Sequence, residues 1–135
     1  MSLDAARAAY PILVQIARDL AAAVRDRRPA VWVDYDNFCL RCKDVGLKET
    51  PRTISAKLLK PIQAVCLEHN RPDLSALIVQ KLKARTDFGN LIRPSDGWWE
   101  VYVARGETTT GDVNFWFKHF QAARDYDDWP EAPFF

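Results

Sequence analysis

The sequence has no long apolar run, few glycines and an odd number of cysteines. No stretch approaches the roughly 18 apolar residues that a membrane-spanning helix needs, and no signal-peptide pattern is evident. The five glycines form no phosphate-binding loop. Three cysteines without an export signal favour free thiols in a reducing compartment. These absences predict a cytoplasmic protein with no membrane partner and no cofactor.

The composition is that of an ordinary globular chain. The 135 residues are 48% hydrophobic and 27% charged, without repeats or low-complexity segments. Five Trp, seven Phe and four Tyr supply bulk for one core. A chain of this length is most simply a single domain, here residues 1–135.

The net charge of +1 hides an uneven distribution. Residues 1–40 are balanced, residues 41–93 carry eleven basic against five acidic side chains, and residues 94–135 carry three basic against eight acidic ones. Such a division is typical of a phosphate-facing surface, or of two regions that attract one another. Scattered, solvated charge is the simpler interpretation.

Apolar side chains recur every three or four residues in several parts of the chain, which is typical of amphipathic helices. Two other runs predict strands: 74–82, apolar on consecutive residues, and 98–103, which alternates between two faces. The predicted order is an N-terminal helix at 4–26, a short edge strand at 30–33, helices at 34–45 and 52–69, a hairpin at 74–103, a C-terminal helix at 112–126 and a tail at 127–135.

Several helix ends are marked by their residue types. Asp34 or Asp36 is predicted to cap the second helix, because a carboxylate there accepts unpaired backbone N–H groups. Gly46 is predicted to end that helix, and Asp112 to cap the last one. Pro61 is expected to disturb the helix at 52–69, since it lacks an N–H donor.

Two consecutive helices followed by a hairpin have the connectivity of a winged helix-turn-helix. The predicted fold class is α+β, with helices packed on a small antiparallel sheet and followed by a C-terminal helix. Residues 34–69 would form the helix-turn-helix-like pair, with 52–69 as the recognition helix and 74–103 as the wing.

The second helix, which opens on Asp34–Tyr35 and closes on Gly46, resembles the supporting helix of winged-helix domains. In the DNA-binding domain of the alkylguanine-DNA alkyltransferase-like family, a Thr-Tyr pair and a Gly stand in similar places. The resemblance covers roughly residues 10–82 and implies a winged-helix fold, like that of small bacterial proteins with the same element order. Residues 71–74 read Arg-Pro-Asp-Leu where that family has Pro-Cys-His-Arg. The alkyl-accepting chemistry is therefore not implied.

The cysteines and one histidine form a Cys-x2-Cys and Cys-x2-His pattern, made of Cys39, Cys42, Cys66 and His69. Zinc sites use these donor types in such pairs. Both pairs fall within predicted helices, on faces where cysteine behaves as a small hydrophobe. Core packing is therefore favoured, and no metal site is predicted. The flanks of Cys39 and Cys42 also lack the context of a redox pair.

The basic residues carry the functional prediction. In a winged helix the recognition helix and the wing face the same duplex, and hydroxyl side chains add contacts to phosphates or bases. Non-catalytic binding of double-stranded DNA, as a regulatory or accessory protein, is the favoured function, with strong dependence on salt. The predicted nucleic-acid-binding residues are Arg52, Thr53, Ser55, Lys57, Lys60, Lys81, Lys83, Arg85 and Arg93.

Two other functions stay open. A protein-interaction or homodimerisation module would dock a partner, or a second copy, through exposed aromatic residues. The aromatic residues in question are Trp98, Trp99, Trp116, Trp129, Phe134 and Phe135. An enzyme with an unrecognised site would need a pocket that brings His69 or His119 near carboxylates. No nucleophile stands beside a base in a recognisable pattern, so no catalytic residue is predicted.

Overall fold

The computed structural model describes residues 3–80 and 92–135. Short 3-10 turns at Leu74–Leu77 and Asp96–Trp99 and a π-helical turn at Ser55–Leu59 supplement the regular elements. No helix in these two ranges is long and apolar enough to cross a membrane. The regular elements are α1 (Asp4–Arg25), β1 (Val33–Asp34), α2 (Tyr35–Lys43), α3 (Lys60–Glu68), β2 (Ile78–Val79), α4 (Glu100–Ala104) and α5 (Val113–Asp125).

The first helix, α1, confirms the predicted apolar stripe. Tyr10, Leu13 and Ile16 are almost completely buried, and the helix continues without interruption past Pro11, which is exposed. Pro11 removes one backbone donor, but the stripe that packs on the core lies on other positions. Burial of the apolar face therefore outweighs the local cost of the proline.

The caps follow the sequence signals. Asp34 Oδ1 accepts a hydrogen bond from the backbone N–H of Asn37 at 2.8 Å, and α2 begins at the next residue. Gly46 has a φ of +84°, a left-handed conformation that glycine adopts without strain, and it follows the end of α2. Asp112 caps α5 by accepting from the N–H of Phe115 at 3.2 Å.

The predicted helix at 52–69 is divided by Pro61. A π-helical turn occupies Ser55–Leu59, and the N–H of Lys60 donates to the carbonyl of Ser55, five residues back. Pro61 has no N–H, and its ring crowds the carbonyl of the preceding turn. A wider turn before the proline relieves this crowding. Regular α-helix then continues as α3.

The two strands among the described residues are parallel, whereas the sequence predicted an antiparallel sheet. Val33 pairs with Ile78 and Asp34 with Val79 in a two-stranded sheet. Strands that are joined by a long helical connection can enter a sheet in the same direction, and here α2 and α3 form that connection. The predicted strand at 74–82 is shorter because its first part forms a 3-10 turn.

The second strand of the predicted wing, 98–103, is helical instead. The 3-10 turn Asp96–Trp99 leads directly into α4, so the described part of 74–103 contains no hairpin. Trp98 and Tyr102, four residues apart, bring their rings to 4.9 Å, as residues on one helical face do. The prediction of a wing hairpin is therefore corrected for the part of 74–103 that the structure describes.

Candidate nucleic-acid interface

The helical pair of α2 and α3 carries a concentration of positive charge. Between positions 41 and 60 the chain has six basic and two acidic side chains. Five of the six form no ion pair with any described residue, unlike Arg7, Arg18 and Arg28 elsewhere. We call these five residues, which are close together in the chain, the basic surface: Arg41, Lys43, Lys48, Arg52 and Lys57.

Two predicted residues of this surface, Arg52 and Lys57, are exposed. Two predicted hydroxyl residues beside them are only partly exposed. Thr53 accepts a hydrogen bond from the backbone N–H of Thr50 at 3.1 Å, and so helps to begin the helical segment. Ser55 faces a small cavity. The structure therefore leaves the two cations accessible and uses the hydroxyls largely for local contacts.

Lys60 and Arg93 are held by carboxylates of the acidic last third of the chain. Lys60 forms an ion pair with Glu100 at the start of α4. Arg93 pairs with Asp96 and lies over the ring of Trp99, 4.9 Å from its centroid. Part of the charge asymmetry in the sequence is thus neutralised within the molecule.

Three predicted wing residues, Lys81, Lys83 and Arg85, lie outside the described residues. The basic surface also includes three residues outside the predicted set, Arg41, Lys43 and Lys48, which lie in the last turn of α2 and in the segment after it. These basic residues were visible in the sequence. Basic residues are common in the last turn of a helix, where they also favour the dipole, so their position alone indicated nothing about a ligand.

A small cavity lies between the start of α2 and the π-helical turn. The N–H of Ser95 donates to Tyr35 Oη at 2.9 Å, and the Tyr35 hydroxyl lies 3.2 Å from Ser95 Oγ. Ser55 and Ser75 also line the cavity, whose volume is about 20 Å³. Burial raises the pKa of Tyr35, so its hydroxyl stays neutral. A cavity of this size fits a single water, and the hydrogen bonds between Tyr35 and Ser95 beside it connect α2 to the segment before α4.

Behind this cavity lies a buried carboxylate that the sequence did not single out as a hub. Asp73 is 1% exposed and accepts hydrogen bonds from Tyr102 Oη at 2.7 Å, Gln63 Nε2 at 3.0 Å and both the backbone N–H and the hydroxyl of Ser75. A buried charge is tolerated when it is hydrogen-bonded in this way. Asp73 therefore connects α3, α4 and the turn before β2.

His119 covers one side of this network. Its ring contacts Tyr102, Phe115 and Trp98 at centroid separations of 4.6, 4.7 and 5.6 Å. Burial lowers the pKa of His119, although the carboxylates of Asp73 and Glu107 act in the opposite direction. The four rings contact one another in pairs, so His119 belongs to a packed aromatic cluster.

The zinc pattern is not assembled. The three cysteines are buried, and burial raises the pKa of Cys42 and of Cys66 to about 12. His69 is exposed and its Nδ1 lies 2.9 Å from the carbonyl oxygen of Val65. Within residues 3–80 and 92–135, no three His, Cys, Asp or Glu side chains are grouped so that they could hold a metal. Core packing explains the cysteines.

The aromatic residues expected to be exposed are not. The four tryptophans Trp98, Trp99, Trp116 and Trp129 are between 0% and 6% exposed, and the last two phenylalanines are partly buried. The tryptophans therefore form no exposed aromatic patch, because large apolar side chains supply the core of a small domain. Among the described aromatic residues, Phe117 is more exposed than these four tryptophans, at 37%.

Comparison of the chain with protein-family models, with curated proteins and with solved structures finds no match. Two features of the described residues bear on function: the five cations between positions 41 and 57 that form no ion pair with a described residue, and the carboxylates that pair with Lys60 and Arg93.

Proposed function

We propose that this chain binds duplex DNA, as a regulatory or accessory protein, through the basic surface between α2 and α3. The observation that carries the proposal is the run of five cations that lack a carboxylate partner among the described residues. Unpaired cations that are close in the chain repel one another, and backbone phosphates offer the charge that relieves this repulsion. The release of counterions from the DNA then favours binding.

The exposed side of the π-helical turn and α3 suits a close approach to a duplex. Ala56 and Ala64 are exposed there, and their small side chains let the backbone come near a surface. Arg52 and Lys57 are exposed close to them in the chain. Long cations beside small residues can reach phosphates on the strands that border a groove.

The ion pairs of Lys60 and Arg93 do not prevent these residues from taking part. Glu100 and Asp96 are largely exposed, with side-chain exposures of 66% and 76%. An exposed ion pair such as that of Lys60 contributes about 0–1 kcal/mol, so a phosphate can replace the Glu100 carboxylate at little cost. The two acidic residues would then limit affinity and favour release.

The proposal is tested by fluorescence anisotropy with a labelled random-sequence duplex at several salt concentrations. The double variant Arg52→Ala/Lys57→Ala removes two expected phosphate contacts. Its affinity should fall about tenfold, and the salt dependence, the slope of log K against log[salt], should be smaller by about 2. The matched control is Arg25→Ala/Lys118→Ala, which removes the same charge from residues outside the basic surface.

Circular dichroism and thermal unfolding show whether both double variants keep the fold. Absence of binding by the unmodified chain at low salt would refute the proposal. Equal losses in the two double variants would also refute it as stated, because the effect would then reflect net charge and not the basic surface.

A further inference from the structure

The tail lies in a groove whose walls are α1 and the end of α3. The ring of Tyr10 meets three tail rings edge-on, those of Trp129, Phe134 and Phe135, at centroid separations of 6.4, 5.7 and 5.9 Å. On the opposite wall, the ring of His69 lies 5.3 Å from that of Phe134. Aromatic side chains of the tail therefore contact both walls of the groove.

The groove also contacts the backbone of the tail. Tyr10 Oη donates to the carbonyl oxygen of Pro130, and Arg7 Nε donates to the carbonyl oxygen of Phe135, each at 2.7 Å. Burial raises the pKa of Tyr10 to about 12, so it remains a donor. Grooves that bind extended peptides use the same combination of backbone hydrogen bonds and pockets for alternate side chains.

Cations around the groove match the composition of the tail. The Arg71 guanidinium lies 4.5 Å from the centroid of the Phe134 ring, and Arg18 forms an ion pair with Glu131 at 3.3 Å. A cation over an aromatic face and an arginine beside a carboxylate select for an aromatic and acidic peptide. The groove thus fits this segment by ring shape, backbone hydrogen bonds and charge.

Two residues of the connection between α5 and the groove are exposed, although Trp129 after them is buried and donates from Nε1 to the carbonyl oxygen of Ala123 at 3.2 Å. Asp127 and Asp128 are exposed and form no hydrogen bond or ion pair with the part of the chain that the structure describes. Fully extended, the nine residues of the tail span roughly 30 Å. This reach is enough to leave one groove and to enter that of a neighbouring molecule.

We propose that this groove is a peptide-recognition groove that accepts the tail of a second copy of the chain in place of its own. The contacts are the same in both cases, which makes exchange of an identical segment inexpensive. The chain's own tail competes at an effective concentration of about millimolar, so exchange becomes visible once that tail is disabled.

Two complementary variants of the full chain test the proposal. Phe134→Ala/Phe135→Ala disables the tail and keeps the groove, whereas Arg7→Ala/Arg71→Ala weakens the groove and keeps the tail. Each is analysed alone and in an equimolar mixture by sedimentation velocity. At about 50 µM the mixture should contain at least tenfold more dimer than either variant alone, because one free tail meets one empty groove.

A synthetic peptide of residues 127–135, added in excess, should dissociate this heterodimer by filling the groove. The control variant Phe117→Ala removes an exposed ring outside the groove and should not pair with Arg7→Ala/Arg71→Ala. If the tail double variant unfolds, Phe135→Ala replaces it, and if the groove double variant unfolds, Arg7→Ala replaces it. Both residues lie at the end of the groove. A mixture of folded variants that stays monomeric, or a heterodimer that the peptide leaves intact, would overturn the proposal.

Discussion

The hydroxyl of Tyr102 donates a hydrogen bond to Asp73, with 2.7 Å between Tyr102 Oη and Asp73 Oδ2. Both residues are 1% exposed. The contact joins α4 to the turn that precedes β2, and Gln63 adds α3 through its own bond to the same carboxylate. The buried carboxylate therefore helps to fix the position of α4 relative to α3.

We expect Tyr102→Phe to destabilise the chain. The variant keeps the ring contacts and leaves the buried Asp73 carboxylate with one donor fewer, which costs about 2 kcal/mol for a hydrogen bond to a charged group. Urea denaturation measures the change in the free energy of unfolding. Tyr126→Phe is the matched control: it removes a hydroxyl that accepts from Arg71 at a less buried site, and should cost under about 1 kcal/mol.

We expect stability to fall as the pH is lowered through the titration of His119. The pKa of His119 is lowered in the folded chain, so the unfolded chain binds the proton more readily. The contribution is therefore complete above the ordinary histidine pKa of about 6.5 and is lost as the pH falls below it.

Chemical denaturation between pH 7 and pH 5 measures this effect. The variant His119→Phe, which keeps an aromatic ring in the cluster, should show a smaller loss of stability over that range. A His119→Phe profile that is as steep as the original would contradict the assignment.

We expect Glu100→Gln to strengthen DNA binding. The substitution removes the carboxylate that pairs with Lys60, so the ammonium group becomes available to phosphate. A tightening of about threefold is the expected size, since an exposed ion pair is worth under 1 kcal/mol. Glu107→Gln, which loses a carboxylate that pairs with Arg105 at 3.7 Å, is the charge-matched control. Equal tightening in both variants would assign the effect to net charge.

We expect the three thiols to be unreactive in the folded chain. Burial raises the pKa of Cys39, Cys42 and Cys66, and the thiolate is the reactive form. Titration with Ellman's reagent at pH 8 should give less than one rapidly reacting thiol in the native state. In guanidinium chloride all three should react. Rapid reaction of two thiols in the native state would show that α2 or α3 opens.

The helices and their ends follow from local chemistry. Asp34, Gly46 and Asp112 act as their residue types predict, because a cap involves only a side chain and the backbone a few residues away. The apolar stripe of α1 is equally local, since it depends on spacing within one segment.

The run 98–103 shows where such local argument fails. Its six residues alternate like a strand, but Trp98 and Tyr102 also fit one face of a helix. The choice was made by contacts from elsewhere: the rings of Phe115 and His119 on α5 pack on these two residues. A pattern this short satisfies both periods, and only the surface against which it packs distinguishes them.

The charged residues show the same difference between what the sequence determines and what the tertiary structure decides. The sequence by itself determined where the basic residues lie along the chain, together with the helices, their caps and the apolar stripes. Tertiary structure alone decided which cations keep their charge unopposed, because Lys60 meets Glu100 forty residues away while Lys57 meets no carboxylate among the described residues. It also decided the parallel pairing of β1 with β2 and the helix at α4. These outcomes depend on distances between segments that are remote in the chain, which a sequence pattern does not contain.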